Sequence, residues 1–179
     1  MPWANGMGVT TELCVHNDEQ SDRILWRISM ASVSSDGPFS HFAGYDRILV
    51  LIEGPGLTLS HQDGTEHCLT NAYQLATFPG DVATHATLID GPIKDFNVIT
   101  DRSAYKPMVT IVSSGSNVVS IDADVLAVDA VDDNLLVVDP VMHSHPVQKG
   151  DLLLVDAPCQ GNWSFSDATA IVTQLSHPS

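Results

Sequence analysis

Short apolar segments bounded by turn residues recur from one end of the chain to the other. They lie at 25–33, 46–53, 57–61, 72–78, 84–89 and 95–100 in the first half, and at 108–112, 118–121, 125–128, 135–138, 152–155 and 170–175 in the second. Most are rich in Val, Ile, Leu or Thr, and Gly, Pro, Asp, Asn and Ser dominate the turns between them. Segments this short predict strands rather than helices, and their close spacing is typical of a barrel or sandwich. We therefore expect an all-β chain.

Two arginines stand inside these strand-like segments. A period of two places Arg27, Ser29 and Ala31 on one face of the first segment, and Arg47 on the same face as the leucines that follow it. A guanidinium in such a position is costly unless it is paired or meets an anion. The pattern therefore leaves two interpretations open, an internal ion pair or an anion-binding site.

The chain is strongly acidic, with 7 Lys and Arg residues against 22 Asp and Glu and a net charge of −15. Phosphate backbones and anionic lipids are repelled by such a charge, so we expect no nucleic acid or membrane partner. Six aspartates lie between 122 and 139. We expect them to form a solvated face rather than a calcium site, because the spacing of a calcium-binding loop is missing.

The three cysteines, Cys14, Cys68 and Cys159, are far apart and include no CxxC pair. This pattern indicates neither a disulfide framework nor a zinc site, and it fits a reducing cytoplasm. The N-terminal segment lacks the basic and apolar regions of a secretion signal, and no apolar run approaches the ~18 residues of a membrane helix. We expect a cytoplasmic protein, and a homodimer is one assembly that exposed strand edges would permit.

A set of motifs in fixed order resembles the HutD/Ves family. The motifs are PWANG at 2–6, WRISMASV at 26–33, DGPFSHFAGYDR at 36–47, LxLIEGPGLxL from 49, FPGD at 78–81 and GPIKDFNVITDR at 91–102. The resemblance implies a bicupin of the RmlC-like type, with two cupin-like β-barrel (jelly-roll) halves. Residues 1–106 would form the half that carries the motifs, and 107–179 a degenerate second half.

The metal-binding pattern of cupins is largely absent. Counting back from Gly54 places Arg47 where a metal-binding cupin has its glutamate, and His41 and Ala43 where it has two histidines. A divalent cation beside Arg47 would be repelled. Two weaker pairs of ligands stay open, namely His41 with His85, and His143 with His145. Ordinary surface histidines are the simpler interpretation of both, and we expect no metal and no cofactor.

A set of polar and aromatic side chains is predicted to line the mouth of the first barrel. The set is Trp3, Asn5, Arg27, Ser29, Arg47, Asp95 and Asn97. Arg47 can bind a carboxylate through two hydrogen bonds, and the two asparagines can pair with an amide, imidazole or formamide group. Asp95 is expected to hold an arginine in place. Trp26 could stack on a planar ring, although core packing is the preferred interpretation for it.

These residues support three classes of function. The resemblance implies a protein that binds a small carboxylate of histidine breakdown, such as urocanate or formylglutamate, and so regulates histidine utilisation; Ves relatives are described as stress-induced. The alternative is a metal-independent hydrolase or isomerase of an amino-acid derivative, with Asp95 or His41 as general base. The third is a structural protein whose arginines are paired internally. We assign no catalytic residue, since neighbouring Ser40 and His41 lack the geometry of an activated nucleophile.

Overall fold

Seventeen β-strands account for the regular structure of residues 8–178, which are the residues that the computed structural model describes. No α-helix occurs among these residues, so the all-β prediction is confirmed. Within the same range, no helix is long and apolar enough to cross a membrane. The strands divide between two compact units, Met1–Tyr105 and Lys106–Ser179.

The first unit consists of two antiparallel sheets that enclose one core. Its strands are β1 (Gly8–Asn17), β2 (Ile24–Val33), β3 (Gly37–Pro38), β4 (Tyr45–Glu53), β5 (Leu57–His61), β6 (Glu66–Leu69), β7 (Leu75–Pro79), β8 (Thr84–Leu88) and β9 (Ile93–Asp101). The order is β1-β2-β9-β4-β7 in one sheet and β3-β8-β5-β6 in the other. Leu49 and Leu51 from the first sheet pack with Leu57 and Leu59 from the second, and none of the four is exposed. This core holds the two sheets face to face.

The second unit repeats this architecture with shorter strands. They are β10 (Lys106–Val112), β11 (Asn117–Ala123), β12 (Val125–Ala130), β13 (Leu135–Val138), β14 (Ser144–Val147), β15 (Leu152–Val155), β16 (Cys159–Ser166) and β17 (Ala170–Ser176). The sheets have the orders β10-β17-β12-β15 and β11-β16-β13-β14. Leu126 and Val172 of one sheet share a core with Trp163 and Phe165 of the other.

The sequence pattern does not reveal β6, β14 and β16. Their sequences EHCL, SHPV and CQGNWSFS contain no apolar run, because only alternate or isolated residues are buried. A proline is tolerated in β14 because that strand lies at the edge of its sheet. The strand expected at 72–78 begins only at Leu75, since Tyr73 has a φ of +68° that an extended strand excludes.

The expectation of a solvated acidic face is wrong for one aspartate. Asp122, Asp132 and Asp133 are exposed, whereas Asp129 of β12 is fully buried. Both of its carboxyl oxygens lack a hydrogen-bond partner in residues 8–178, and burial raises its pKa to about 7. Every residue of β12 is buried, so the sequence of this strand does not alternate between buried and exposed positions, and the burial of Asp129 cannot be predicted from it.

Candidate functional site

The first unit contains a cavity of about 240 Å³ on the inner side of its five-stranded sheet. Its walls come from β1, β2, β4 and β9 and from the segment 38–42, which runs from the last residue of β3 towards β4. The lining residues are Thr10, Arg27, Ser29, Ala31, Pro38, Phe39, Ser40, Phe42, Arg47, Asp95, Asn97 and Ile99. Charged and polar side chains on the sheet therefore face an aromatic and apolar segment.

Strand register brings the polar residues of the cavity into adjacent positions. Asn97 of β9 lies opposite Ser29 of β2, and Asp95 of β9 lies opposite Ala31. Arg27 and Arg47 are both opposite Ile99, one on each side of β9. Paired residues of antiparallel strands project to the same face, so three strands contribute one continuous polar row.

Arg47 is buried and has no carboxylate partner in the described part of the chain. The residue is 6% exposed, and its guanidinium donates hydrogen bonds to the Ser40 carbonyl at 3.2 Å and to Asn97 Oδ1 at 3.3 Å. Nε is buried without a partner. The guanidinium also lies 5.2, 5.4 and 5.1 Å from the ring centres of Phe39, Phe42 and Phe78. Burial lowers the pKa of Arg47 to about 10, so the group is still charged at neutral pH.

Arg27 adds a second positive charge to the same cavity. Its guanidinium is 5.5 Å from the ring centre of Phe42, so this ring is close to both arginines. No salt bridge in residues 8–178 involves Arg27, and its Nε is buried without a partner. The charge of Arg27 contributes to the lowered pKa of Arg47. Two arginines side by side, neither of them in a direct ion pair with a described residue, favour the anion-site interpretation over the internal ion pair.

Asp95 is linked to Arg47 through Asn97 and forms no direct ion pair with an arginine of the described residues. Asn97 lies between Asp95 and Arg47, donating from Nδ2 to Asp95 Oδ1 and accepting from Arg47 at its own Oδ1. Asp95 Oδ2 is buried and has no hydrogen-bond partner in the described residues. Desolvation raises the pKa of Asp95 to about 7, although the charge of Arg47 and the bond from Asn97 favour the ionised form. The cavity thus carries a net positive charge at neutral pH.

Five of the seven residues predicted for the site line this cavity, namely Arg27, Ser29, Arg47, Asp95 and Asn97. Trp3 and Asn5 lie outside the described residues. Trp26 does not reach the cavity: it is 1% exposed and its ring stacks on His16 at 5.7 Å. The preferred prediction that Trp26 packs in the core is confirmed.

Sequence patterns did not predict that segment 38–42 lines the cavity together with the polar side chains. Pro38, Phe39 and Phe42 line the cavity, although none was named as a site residue. A signal was present, because all three lie in DGPFSHFAGYDR, one of the two longest motifs of the resemblance. A loop has no periodicity from which the direction of its side chains could be predicted.

The histidines proposed as weaker metal ligands do not line the cavity. His41 and His85 are exposed, and His41 Nε2 is 2.8 Å from the carbonyl oxygen of Asp81. His143 Nδ1 and His145 Nε2 are 3.2 and 3.3 Å from Asp139 Oδ2. Within residues 8–178, no group of three or more His, Cys, Asp or Glu side chains is placed to hold a metal ion.

The HutD family model matches residues 1–173, which are nearly the whole chain. A protein of Pseudomonas putida, described as an uncharacterized 21.2 kDa protein in the hutC 3' region, is 36% identical over 106 residues, which are 59% of this chain and 55% of that protein. Protein Ves of Citrobacter koseri is 36% identical over 110 residues, which are 61% of this chain and 56% of Ves. The matched stretch spans little more than half the length of these curated relatives.

Solved structures agree over the full length. HutD of Pseudomonas fluorescens SBW25 superposes with a TM-score of 0.86 at 29% identity, covering 100% of this chain and 94% of that one. A cupin 2 conserved barrel domain protein of Leptotrichia buccalis has a TM-score of 0.56 at 10% identity, over 94% of this chain and 89% of its own. The second likeness concerns the fold alone, and together they confirm the cupin-type architecture.

Proposed function

This chain belongs to the HutD family, and from that premise we propose that its first unit binds a small carboxylate in the cavity between Arg27 and Arg47. The observation that carries the proposal is the buried charge of Arg47, which forms no direct ion pair with a carboxylate of the described residues. A buried cation is costly without a counter-ion. A ligand carboxylate would supply one, and a guanidinium can hold it through two parallel hydrogen bonds.

The size and lining of the cavity favour a metabolite. A volume of about 240 Å³ lies just below the range of roughly 300–1,000 Å³ that is usual for drug-sized ligands. Ser29 and Asn97 offer further hydrogen bonds to a polar substituent. The rings of Phe39 and Phe42 could pack against a planar or apolar part of the ligand.

We further propose that the ligand is an intermediate of histidine breakdown, such as urocanate or formylglutamate, and that binding regulates histidine utilisation in the cytoplasm. Support comes from the family and from the P. putida relative, whose name places it beside hutC. Urocanate and formylglutamate each combine a carboxylate with a planar imidazole or formamide group. Both parts match the arginines and the amide of the cavity.

Asp95 is the observation that favours a second candidate, a metal-independent hydrolase or isomerase. A buried carboxyl group with a pKa of about 7 has the acid strength of a general base that works near neutral pH. The same buried group is compatible with binding alone. Product formation distinguishes the two: an enzyme converts formylglutamate or urocanate under single-turnover conditions, and a binding protein returns them unchanged.

Thermal unfolding against a panel of ligands tests the proposal. The panel contains formate, urocanate, N-formylglutamate, histidine, unrelated carboxylates and, as controls, matching uncharged amides. A ligand at 100 times its Kd stabilises the protein by about 2.7 kcal/mol, which raises Tm by roughly 5–11 °C for a chain of this size. Arg47→Met should abolish this rise.

The matched control is Arg102→Met, which removes an arginine of the same unit that does not line the cavity. Arg102 binds Asp46 and Asp81, each at 2.8 Å, on the surface. This variant should keep the full ligand-induced rise in Tm. The proposal is overturned if no carboxylate stabilises the wild type, or if stabilisation persists in Arg47→Met.

A further inference from the structure

We propose that the cavity takes up its carboxylate ligand together with one proton, and that Asp95 keeps this proton on Oδ2 and donates a hydrogen bond from it to the ligand. The inference rests on the proposed function and specifies how the same site is controlled. In this role Asp95 favours ligands that carry a hydrogen-bond acceptor opposite its Oδ2. It also makes ligand affinity depend on pH in the neutral range.

The direction of the hydrogen bonds assigns the proton to one oxygen. Arg47 donates to Asn97 Oδ1, which leaves the Asn97 amide nitrogen as the donor to Asp95 Oδ1. Oδ1 is therefore occupied as an acceptor, and Oδ2 has no partner among the described residues. A protonated carboxyl group accepts through one oxygen and donates through the other. The chain from Arg47 through Asn97 fits this form of Asp95.

A proton is taken up because the ligand brings a second negative charge into the small cavity that already contains Asp95. The ligand carboxylate and Asp95 would share a cavity of about 240 Å³. Two carboxylates in one site cannot readily both ionise, and the pKa of one of them rises strongly. Because the pKa of Asp95 is already raised to about 7 in the free protein, a second negative charge raises it further. At pH 8 roughly one Asp95 in ten is protonated before binding, and nearly all are afterwards.

The remaining charged groups around Asp95 do not titrate near neutral pH. Arg27 of β2 and Arg47 of β4 are the titratable side chains that line the cavity with Asp95, and both are cations. Thr10 of β1 and the residues of segment 38–42 that line the cavity are neutral. His61 of β5 is a further titratable group that interacts with Arg47, and its ring centre lies 4.9 Å from that of Phe78. Burial lowers the pKa of His61, so it is neutral in the pH range concerned.

Calorimetry measures the proton directly. N-formylglutamate is the probe, because neither of its carboxyl groups titrates near pH 8. Binding heats are measured at pH 8 in two buffers with different enthalpies of ionisation, and their difference gives the number of protons taken up. We expect close to one proton per ligand, and a Kd that rises about fivefold from pH 7 to pH 8 and about ninefold from pH 8 to pH 9.

Asp95→Asn tests the assignment, because the amide can accept from Asn97 and donate to the ligand as the protonated acid does. This variant should bind with no proton uptake and with a Kd that is constant from pH 6 to pH 9. Asp90→Asn is the matched control: Asp90 is exposed and has a φ of +56°, which asparagine tolerates. It should behave as the wild type.

The outcomes separate this inference from the function on which it rests. Binding of N-formylglutamate to the wild type without proton uptake overturns the inference and leaves the proposed function intact. Proton uptake that persists in Asp95→Asn also overturns it. If neither this probe nor any carboxylate of the thermal panel binds between pH 5 and pH 9, both proposals are wrong. The wild-type measurement alone decides the question if Asp95→Asn fails to fold.

Discussion

Replacing Arg47 with methionine should leave the ligand-free protein at least as stable as the wild type. Burial lowers the pKa of Arg47 to about 10. This lies between two and three pH units below the ordinary value, so keeping the charge buried costs about 3 kcal/mol at 1.4 kcal/mol per unit. Methionine removes this cost and fills much of the same space between Phe39, Phe42 and Phe78.

The substitution also removes favourable contacts of Arg47. Its hydrogen bonds to Ser40 and Asn97 are lost, at about 1 kcal/mol each. The net expectation is a gain of roughly 1 kcal/mol, or a rise in Tm of about 2–4 °C. Because the charge of Arg47 holds down the pKa of Asp95, its removal raises that pKa above about 7, so the gain should be largest near pH 6 and should shrink as the pH rises towards 9.

Differential scanning calorimetry and urea denaturation without ligand measure the effect. Arg102→Met is the control, since the Arg102 side chain is 45% exposed and its removal should lower stability by about 1 kcal/mol or less. If Arg47 instead belonged to a structural ion pair, its removal would cost about 3–5 kcal/mol. A loss of that size would refute the reasoning that Arg47 is kept for an external anion.

Three further predictions concern other parts of the chain. Arg27→Gln should weaken carboxylate binding about 10- to 100-fold by calorimetry, because a charge-assisted hydrogen bond is replaced by a neutral one; an unchanged Kd would contradict the two-arginine site. Asp129→Asn should reduce the loss of unfolding free energy between pH 4 and pH 8. The pKa of Asp129 is raised to about 7 in the folded state, so the folded chain holds more protons in this window and the wild type loses stability as pH rises. Denaturation at several pH values checks this against exposed Asp133→Asn, and equal slopes would contradict it. Gly54→Ala should lower the free energy of unfolding by about 2 kcal/mol or more in urea denaturation, because a Cβ at φ +106° would lie 2.5 Å from the Pro92 carbonyl oxygen. Gly64→Ala is the control: its φ is +88° with open space around it, so its loss of unfolding free energy should be smaller.

Much of the fold could be predicted from local patterns. A period of two along 25–33 and 46–53 correctly placed Arg27 with Ser29 and Arg47 with Leu49, because alternation is a property of each strand by itself. Strands with an apolar run were found, while β16 was missed because only a few separated residues of its sequence are buried. The motifs of 2–102 identified the family that the whole-chain comparison confirms.

The candidate site was only partly within reach of the same reasoning. A polar side chain at an inward position of a strand is unusual. This allowed five cavity residues to be predicted, namely Arg27, Ser29, Arg47, Asp95 and Asn97. That Asn97 separates Asp95 from Arg47 depends on the register of β4 against β9, which no local pattern contains.

The amino-acid sequence by itself determined the strands, their inward faces and the presence of two cations where a core should be, since these follow from short-range periodicity and residue type. Tertiary structure alone decided which groups those cations meet. Segment 38–42 brings Phe39 and Phe42 over the polar row, and the packing of β12 buries Asp129 without a partner in the described residues. Distances between side chains far apart in the chain depend on strand pairing and loop packing. Those distances decide whether a buried charge forms an ion pair inside the protein or can bind a charged ligand.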